Sequence, residues 1–380
     1  MDFRLGSAAE DLRDEVRTFL DEAVTLEMEE RVYRSGTSYD TGYNDALHAR
    51  GWLAASLPVE YGGGGQDPVE VLVLTEEQQR YDAPTYTNGT SVMVAKVLIE
   101  AGTEEMKRDI VPKLLSGGAI CVLGFSEPES GSDVANAQCR AVRDGDEWVI
   151  NGSKMFTTNG HIADYVFLLT RTNTEVPKHK GLTTFLVPMK QPGVEAQAVY
   201  TLSGERTNIT YYNDVRVPDS ARIGDVDGGW RVMTVSLQDE HTTGYGGRVQ
   251  RLLEEAEAWA EKSGRIADPD VRARLAEVAA EVEVSLLLQR RGIWMTGAGI
   301  VPEAEGPMSK LFSSEAFARA SQDLFELLGP DALRSYFDPT APRHGRMEYA
   351  VRFALGTRIY AGTSEVQRNI ISQRGLGLPR

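Results

Sequence analysis

The chain has few cysteines and no long apolar run. Only Cys121 and Cys139 occur among its 380 residues, and they provide neither a disulfide framework nor a CxxC metal pattern. No apolar stretch approaches the ~20 residues that a membrane helix needs, and the acidic segment at residues 1–11 lacks the apolar core of a signal peptide. We therefore expect a cytoplasmic protein with no bound metal and no membrane insertion.

Positive charge is also scarce. The chain has 40 lysines and arginines against 56 aspartates and glutamates, which gives a formal net charge of -16. This sign argues against a nucleic-acid backbone or an anionic membrane as the main partner, but a few local cations can still hold an anionic small molecule. With 41% hydrophobic and 25% charged residues, the composition is that of an ordinary globular protein of one to three domains.

The sequence pattern changes twice along the chain. Leu12, Val16 and Phe19 recur at helical spacing near the start. From about residue 119 short β-rich segments follow, and Asp144-Gly145 between two of them is typical of a hairpin turn. The segments with strand patterns are Ala119–Phe125, Val142–Ile150, Tyr165–Leu169, Leu182–Val187 and Tyr211–Val217.

Helical patterns return from Gly228 onward. Asp268-Pro269 marks the start of one helix, and Gly329-Pro330 marks the end of another. The four predicted helices cover residues 229–263, 268–298, 304–328 and 345–374. The sequence therefore predicts an α+β fold with a helical N-terminal domain (1–118), a middle β-barrel-like domain (119–227) and a C-terminal four-helix bundle (228–380).

The first motif of the middle region is Phe125-Ser-Glu-Pro-Glu-Ser-Gly-Ser-Asp133. Gly131 lets the backbone approach a ligand closely, and Ser126 and Ser132 offer hydroxyl groups. Taken alone, such a stretch is more often an ordinary turn.

The second motif, Ile150-Asn-Gly-Ser-Lys-Met-Phe-Thr-Thr-Asn-Gly160, follows shortly after the first. Phe156 can stack on a ring system, and Thr158 can donate a hydrogen bond to a ring nitrogen, although singly they are more often a core phenylalanine and a strand threonine. A third motif, Arg358-Ile-Tyr-Ala-Gly-Thr-Ser-Glu-Val-Gln-Arg368, lies near the C-terminus. With the three motifs in this order, the chain resembles the acyl-CoA dehydrogenase family over essentially its whole length.

The resemblance implies bound FAD, an acyl-CoA substrate, and an electron-transfer flavoprotein or similar acceptor as partner. In such enzymes the protein supplies position and electrostatics, and the flavin supplies the redox chemistry. The implied roles are Phe125 and Ser126 along the flavin ring, Ser132 near the FAD pyrophosphate and the CoA arm, Phe156 packed on the isoalloxazine, Thr158 bonded to N5, and Thr363 and Glu365 beside the FAD.

The catalytic base is the point at which the third motif departs from many family members, which carry a glutamate where this chain has Ala361. A second family solution, a glutamate from the first C-terminal helix, matches Glu240. Met233, Leu237, Glu240 and Gly244 are spaced to share one helix face. A carboxyl group on an apolar face has a raised pKa, which suits a general base near neutral pH. The resemblance therefore implies Glu240 as the base.

The alternative for Glu240 is an ordinary ion pair with Arg231 or Arg248. The resemblance also implies substrate contacts for Ser132, Leu237, His241 and Ala361. His241 either contacts CoA or is a core histidine with satisfied hydrogen bonds. At Ala361 the family uses the backbone N–H to hold the thioester oxygen, and this donor survives the change of side chain.

Two elements that form the cross-subunit half of the FAD site in the family are altered. The usual Arg-x-x-Phe-Gly element is absent from Ala260–Pro269, and Glu326-Leu-Leu-Gly-Pro330 replaces a Gln-x-x-Gly-Gly loop. These changes resemble the actinobacterial branch that acts on steroid side chains, some of which forms α2β2 heterotetramers with half the usual FAD. We therefore expect either a homotetramer or a heterotetramer with a homologous subunit.

The leading functional prediction is FAD-dependent α,β-dehydrogenation of an acyl-CoA, with Glu240 taking the α-proton and flavin N5 the β-hydride. A non-catalytic subunit that pairs with a catalytic homologue is one alternative. A flavin oxidase on the same fold is another.

Overall fold

A computed structural model describes residues 4–240 and 244–379, with every side chain in these ranges except those of residues 237–240. The chain divides into two units. The sheet unit contains Arg31–Gln66 and Pro84–Asp239, and the helical unit contains Met1–Glu30, Asp67–Ala83 and Glu240–Arg380. The predicted α+β order of helices, strands and helices is confirmed, whereas the domain boundaries near residues 118 and 228 stay a prediction.

Seven α-helices precede the strands in the described part of the chain. They are α1 (Ser7–Ala23), α2 (Leu26–Ser35), α3 (Thr41–Ala49), α4 (Pro68–Arg80), α5 (Tyr86–Ala101), α6 (Glu104–Asp109) and α7 (Val111–Leu115). Asp67 begins α4 with a reciprocal cap, because its side chain accepts from the N–H of Glu70 and the Glu70 side chain accepts from the N–H of Asp67.

Eight described strands form the sheet of the sheet unit. They are β1 (Cys121–Gly124), β2 (Arg140–Asp144), β3 (Glu147–Lys154), β4 (Tyr165–Arg171), β5 (Leu182–Pro188), β6 (Val194–Tyr200), β7 (Arg206–Pro218) and β8 (Arg222–Ile223). The strand order is β6-β7-β3-β2-β4-β5-β8, and β1 pairs with β4. The predicted hairpin at Asp144-Gly145 joins β2 to β3. The first motif of the middle region follows directly on β1, and the second begins within β3 and continues beyond its end.

Helices cover one face of this sheet. Val94 and Leu98 of α5 pack in one buried cluster with Cys121 of β1 and Phe167 of β4. Phe167 is fully buried, and truncating such a phenylalanine typically costs about 3–5 kcal/mol. This packing fixes the end of β1, from which the first motif departs.

The helices of the C-terminal part are α8 (Gly229–Glu240), α9 (Gly246–Lys262), α10 (Pro269–Gly297), α11 (Glu305–Leu328), α12 (Arg346–Thr357) and α13 (Ser364–Ile370). In the helical unit, α9, α10, α11 and α12 share one core that includes Val249, Leu275, Phe317, Leu324 and Phe353. No helix within the described ranges combines the length and the apolar character required to cross a bilayer.

The first helix predicted for the C-terminal part, 229–263, is divided into α8 and α9. A β-carbon added at Gly246 would lie 2.9 Å from a Leu286 methyl group, and one at Gly247 would lie 2.6 Å from the carbonyl oxygen of Glu76. These glycines therefore allow α9 to pack closely on α10 and α4, which is one of the uses that a helix has for glycine.

The fourth predicted helix, 345–374, is also divided, because α12 ends at Thr357 and α13 begins at Ser364. Ala361 and Gly362 between them have φ values of +54° and +80°, which no right-handed helix contains. Strand β6 was not predicted from the sequence. All seven of its side chains are exposed or half-buried, and the strand contains glutamate and two alanines, which are depleted in strands.

Candidate flavin and substrate site

The first motif leaves the sheet at the end of β1. The Phe125 ring is half-buried and meets Phe167 edge to face, with ring centroids 5.2 Å apart. Ser126 is half-buried, and its carbonyl oxygen accepts from the N–H of Met155 at 2.8 Å. Ser132 lies farther along the same loop and is exposed. The loop thus offers one partly covered ring edge and two hydroxyl groups.

The second motif begins within β3, at Ile150, and Phe156 follows two residues after the strand ends at Lys154. Phe156 has φ +58° and its side chain is 61% exposed. A positive φ is unfavourable for a bulky residue, and such strain collects at functional sites. An exposed aromatic ring held in this way is a surface on which a flat ring system can stack.

Thr158 is the hydroxyl-bearing residue beside this ring. It is half-buried, and its Oγ1 lies 3.3 Å from Oγ1 of Thr207 and 3.5 Å from the carbonyl oxygen of Phe156. A threonine hydroxyl carries one proton and can also accept. Accepting from Thr207 would leave the Thr158 proton available for a ligand.

Buried polar groups brace the loop that carries Phe156 and Thr158. Asn208 is fully buried, and its side-chain NH2 donates to the carbonyl oxygen of Thr157 at 2.9 Å. The backbone carbonyl oxygen of Asn208 accepts from the N–H of Thr157. Asn159 has φ +60°, is fully buried, and donates to Oγ1 of Thr87 at 2.6 Å. These bonds hold a strained segment that would otherwise relax.

A buried ion pair joins the two motifs. Lys154 is fully shielded from solvent, and its Nζ donates to Oε1 of Glu127 at 2.7 Å and to the carbonyl oxygen of Phe125 at 3.2 Å. The sequence shows Lys154 inside the second motif, but it gives no sign that Glu127 of the first motif is its partner.

The third motif forms a turn between α12 and α13. The Ala361 and Gly362 carbonyl oxygens accept from Nε2 of Gln367, at 2.9 and 3.4 Å. The fully buried Lys310 donates from Nζ to the carbonyl oxygen of Gly362 at 2.5 Å. Among the described residues, no group accepts from the N–H of Ala361. The turn therefore presents the backbone N–H of Ala361, and the Lys310 and Gln367 side chains hold its carbonyl oxygens.

The remaining residues of this motif begin α13. The Thr363 side chain caps the helix by accepting from the N–H of Val366 at 3.2 Å. Glu365 is exposed, and bonds from its own N–H and from the Thr363 side chain lower the pKa of its carboxyl group. Ala361, Thr363 and Glu365 thus lie together in the helical unit, while Phe125, Ser126, Phe156 and Thr158 lie together in the sheet unit.

The proposed base and its neighbours lie at the edge of what the structure describes. Glu240 is the last residue of α8, but the Glu240 and Leu237 side chains, and all of His241, fall outside the described part of the chain. The two cations considered as alternative partners have other contacts, because Arg248 pairs with Asp82 and Arg231 lies 4.0 Å from Asp225. The roles of Glu240, Leu237 and His241 stay predictions.

Trp259, which directly precedes the first altered element of the C-terminal part, contacts a residue of that element and a residue next to the second. The Arg265 guanidinium lies 5.5 Å from the centroid of the Trp259 ring, and Nε1 of Trp259 donates to a carboxylate oxygen of Asp331 at 3.1 Å. Trp259 therefore contacts both other side chains within the subunit.

Family models match the chain along most of its length. The N-terminal domain of acyl-CoA dehydrogenases matches residues 7–118, the middle domain matches 122–215, and the C-terminal domain matches 227–376.

Similar proteins are known as sequences and as structures. Acyl-CoA dehydrogenase FadE26 of Mycobacterium tuberculosis is 35% identical, with 98% of this chain and 97% of that protein covered. FadE29 of the same organism is 33% identical, with 87% and 86% covered. Two solved structures cover 100% of both chains at 34% identity: the Tcur3481-Tcur3483 steroid ACAD, with a TM-score of 0.94, and the ChsE4-ChsE5 complex of M. tuberculosis, with a TM-score of 0.90.

Proposed function

The chain belongs to the acyl-CoA dehydrogenase family of FAD-dependent oxidoreductases, and we propose that it converts an acyl-CoA thioester to the 2-enoyl-CoA with Glu240 as the α-proton base. The observation that carries the proposal is the segment Phe156–Thr158, where an exposed ring and a hydroxyl group are held on strained, braced backbone. An isoalloxazine needs a flat apolar contact and a hydrogen-bond donor in this combination.

The residues of the sheet unit fit the flavin end of an FAD. Phe156 would pack against the ring, Thr158 would donate to N5, and Phe125 and Ser126 would line the ring from the neighbouring loop. Ser132 is exposed on that loop, so its hydroxyl is accessible to a phosphate or to the CoA arm. Bound FAD supplies the acceptor for the β-hydride.

The Ala361 turn would hold the thioester oxygen through its N–H. Lys310 and Gln367 bind the carbonyl oxygens of Ala361 and Gly362, which anchors the two peptide units that follow this N–H and restrains the turn before substrate binds. Preorganised donors of this kind stabilise developing negative charge, because they need no rearrangement during the reaction. The alanine side chain contributes no proton acceptor, which leaves that task to Glu240.

For the substrate we propose an acyl-CoA with a steroid-bearing side chain, and for the assembly a heterotetramer with a homologous subunit. The support is the 34% identity to a steroid ACAD over the whole of both chains, together with the altered elements at residues 260–269 and 326–330. In the subunit, the Trp259 side chain contacts both Arg265 and Asp331.

The test is anaerobic flavin reduction by a panel of acyl-CoA thioesters, with and without a co-expressed homologue. Bleaching of the flavin by at least one thioester is expected, with formation of the 2-enoyl product. If the purified chain and its partner carry flavin but every variation at this chain's Glu240 leaves turnover intact, this chain is the non-catalytic subunit. Peroxide formation at the turnover rate under air would assign an oxidase instead.

A further inference from the structure

The Lys154–Glu127 ion pair is almost completely buried. The two side chains are 0% and 6% exposed, and the Nζ–Oε1 distance is 2.7 Å. Removing both charges from water costs several kcal/mol per ion, so such a pair is often no more stable than a well-packed apolar pair of similar volume. Stability alone therefore does not explain the pair, and the backbone segments that the two side chains bind suggest another role.

Glu127 closes the loop of the first motif. Its Oε2 accepts from the N–H of Gln138 at 2.6 Å, and its Oε1 accepts from the N–H of Cys139 at 2.9 Å. The backbone of Glu127 also exchanges two hydrogen bonds with that of Ser130. One carboxylate thus ties the start of the loop, directly after Ser126, to the point where the chain enters β2.

Lys154 connects that carboxylate to the second motif. It is the last residue of β3, two positions before Phe156, and its ammonium group also binds the carbonyl oxygen of Phe125. The N–H of the next residue, Met155, donates to the carbonyl oxygen of Ser126. Both residues proposed along the flavin ring from the first loop are therefore linked to the strand end that carries Phe156.

We propose that the Lys154–Glu127 pair is a positioning device for the flavin, which sets the distance between the loop at Phe125–Ser126 and the loop at Phe156–Thr158. Both residues act through others and touch no reacting atom. The inference rests on the proposed function, because it takes the flavin to lie against these two loops. An ammonium group suits this role, since it has three donors and can bind a carboxylate and a carbonyl oxygen at once.

The experiment compares K154M, E127Q and the double variant K154M/E127Q, each as the full chain purified with its partner subunit. Methionine keeps a long unbranched side chain, and glutamine keeps the shape of glutamate. Flavin is removed, and FAD affinity is measured on reconstitution together with the absorption band of the bound flavin and the thermal unfolding of the flavin-free protein. No readout depends on catalytic turnover.

K154M is expected to weaken FAD binding about tenfold, which corresponds to ~1.4 kcal/mol, and to change the shape of the flavin band. It should also destabilise the flavin-free protein, because Glu127 is left buried and unpaired. The double variant should regain part of that stability, since no lone charge remains, but not all of it, because the NH2 group of glutamine faces the backbone N–H of Gln138 or Cys139, where the carboxylate had an acceptor. FAD binding should stay weak, because a methionine side chain has no donor for the carbonyl oxygen of Phe125. This separation of stability from FAD affinity is the result that supports a positioning role.

E77Q serves as the matched control. Glu77 is buried in the helical unit and pairs with Arg13 at 2.6 Å and Arg17 at 2.9 Å, so its variant loses a comparable ion pair away from both motifs. It should unfold at a lower temperature and keep wild-type FAD affinity.

Two outcomes would overturn the proposal: K154M that binds FAD like the wild type, or a double variant in which stability and FAD affinity recover together. If K154M does not fold, the double variant decides, and if neither folds, unchanged FAD affinity and flavin band in E127Q would overturn it. The wild type in the same assay separates this inference from the proposed function, because a wild-type complex that binds no FAD refutes the function itself.

Discussion

The loop at Phe156–Asn159 and the turn at Ala361–Gly362 are both held in an unfavourable backbone conformation, but they present different groups to a ligand. Each contains a non-glycine residue at positive φ, and beside each a fully buried lysine donates to a carbonyl oxygen, Lys154 in one case and Lys310 in the other. The first presents side chains, an exposed ring and a hydroxyl group. The second presents a backbone N–H and a side chain of one carbon.

The difference explains which parts of a site tolerate substitution. Where side chains would make the contact, as proposed for Phe156 and Thr158, changing the residue would remove the contact. Where the backbone would make it, as proposed for Ala361, the residue type could vary as long as the turn is kept. The comparison predicts that substitutions in the first loop act on the cofactor, whereas those in the turn act mainly on stability unless they add a proton acceptor.

The largest expected effect concerns that base. Glu240→Gln keeps the shape of the side chain and removes the proton acceptor, so flavin reduction by substrate should slow by ~10²–10⁴-fold or more. FAD content should hardly change. The measurement is single-turnover flavin bleaching, with Asp239→Asn as the matched control, since it changes the neighbouring carboxylate on the same helix.

A double substitution tests whether the turn at Ala361 can take over the task. Glu240→Ala is expected to lose activity and to regain part of it when combined with Ala361→Glu, which restores the other base position of the family. Near-normal bleaching in Glu240→Gln would remove the assignment of the base. A Glu240→Ala/Ala361→Glu protein with intact flavin and no gain in rate would show that the turn no longer faces the substrate.

The next effect is at the exposed ring. Phe156→Ala should weaken FAD binding about tenfold, because an aromatic contact contributes roughly 0.5–1.5 kcal/mol beyond the area it buries. The flavin-free protein should unfold at nearly the same temperature, since the ring is 61% exposed. Phe156→Tyr is the control that keeps the ring. Equal FAD affinity in Phe156→Ala and wild type would place the flavin elsewhere.

A smaller effect is expected at the hydroxyl group of Thr158. Thr158→Val removes one neutral hydrogen bond, which is typically worth about 0.5–1.5 kcal/mol, and should slow flavin reduction about fivefold and shift the flavin absorption band. Thr158→Ser keeps the hydroxyl and should behave like the wild type. If valine and serine give the same spectrum and rate, the hydroxyl makes no bond to the flavin.

The same comparison shows how far the sequence could lead. The side-chain loop was recognisable, because Phe156 and Thr158 stand in a motif and the strands before it have clear patterns. The turn was predicted as continuous helix over 345–374, because alanine is a strong helix former and the residues on both sides keep helical spacing. Gly356, Gly362 and the capping residue Thr363 were the local signs of a break.

Side-chain partners that are distant along the chain could not be predicted from the sequence, for a different reason. Lys154 and Glu127 are 27 residues apart along the chain, and nothing in either residue type specifies the other as partner. Asn208 and Thr207, which brace the second motif, lie on β7, far along the chain from it. Such partners follow from strand register, which depends on the whole sheet. These partners come together only in the folded sheet.

The smallest effect is expected from Ala361→Gly, and it separates backbone from side-chain function most cleanly. Ala361 has φ +54°, a conformation that is unfavourable for a residue with a β-carbon by roughly 1–2 kcal/mol, whereas glycine adopts it freely and loses more entropy on folding. The two effects partly cancel, so the flavin-free protein should gain less than about 1 kcal/mol of unfolding free energy. Because the N–H and its two anchored carbonyl neighbours remain, the rate of flavin reduction should stay within about twofold, well inside the tenfold that corresponds to ~1.4 kcal/mol.

Gly102 is a useful reference for the stability measurement. It ends α5 without a positive φ, and a β-carbon there would lie 2.5 Å from the carbonyl oxygen of Leu98, so Gly102→Ala should destabilise the protein. A large loss of rate in Ala361→Gly, with FAD still bound, would mean that the methyl group itself contacts the substrate. The turn would then act through a side chain, as the loop at Phe156–Asn159 does.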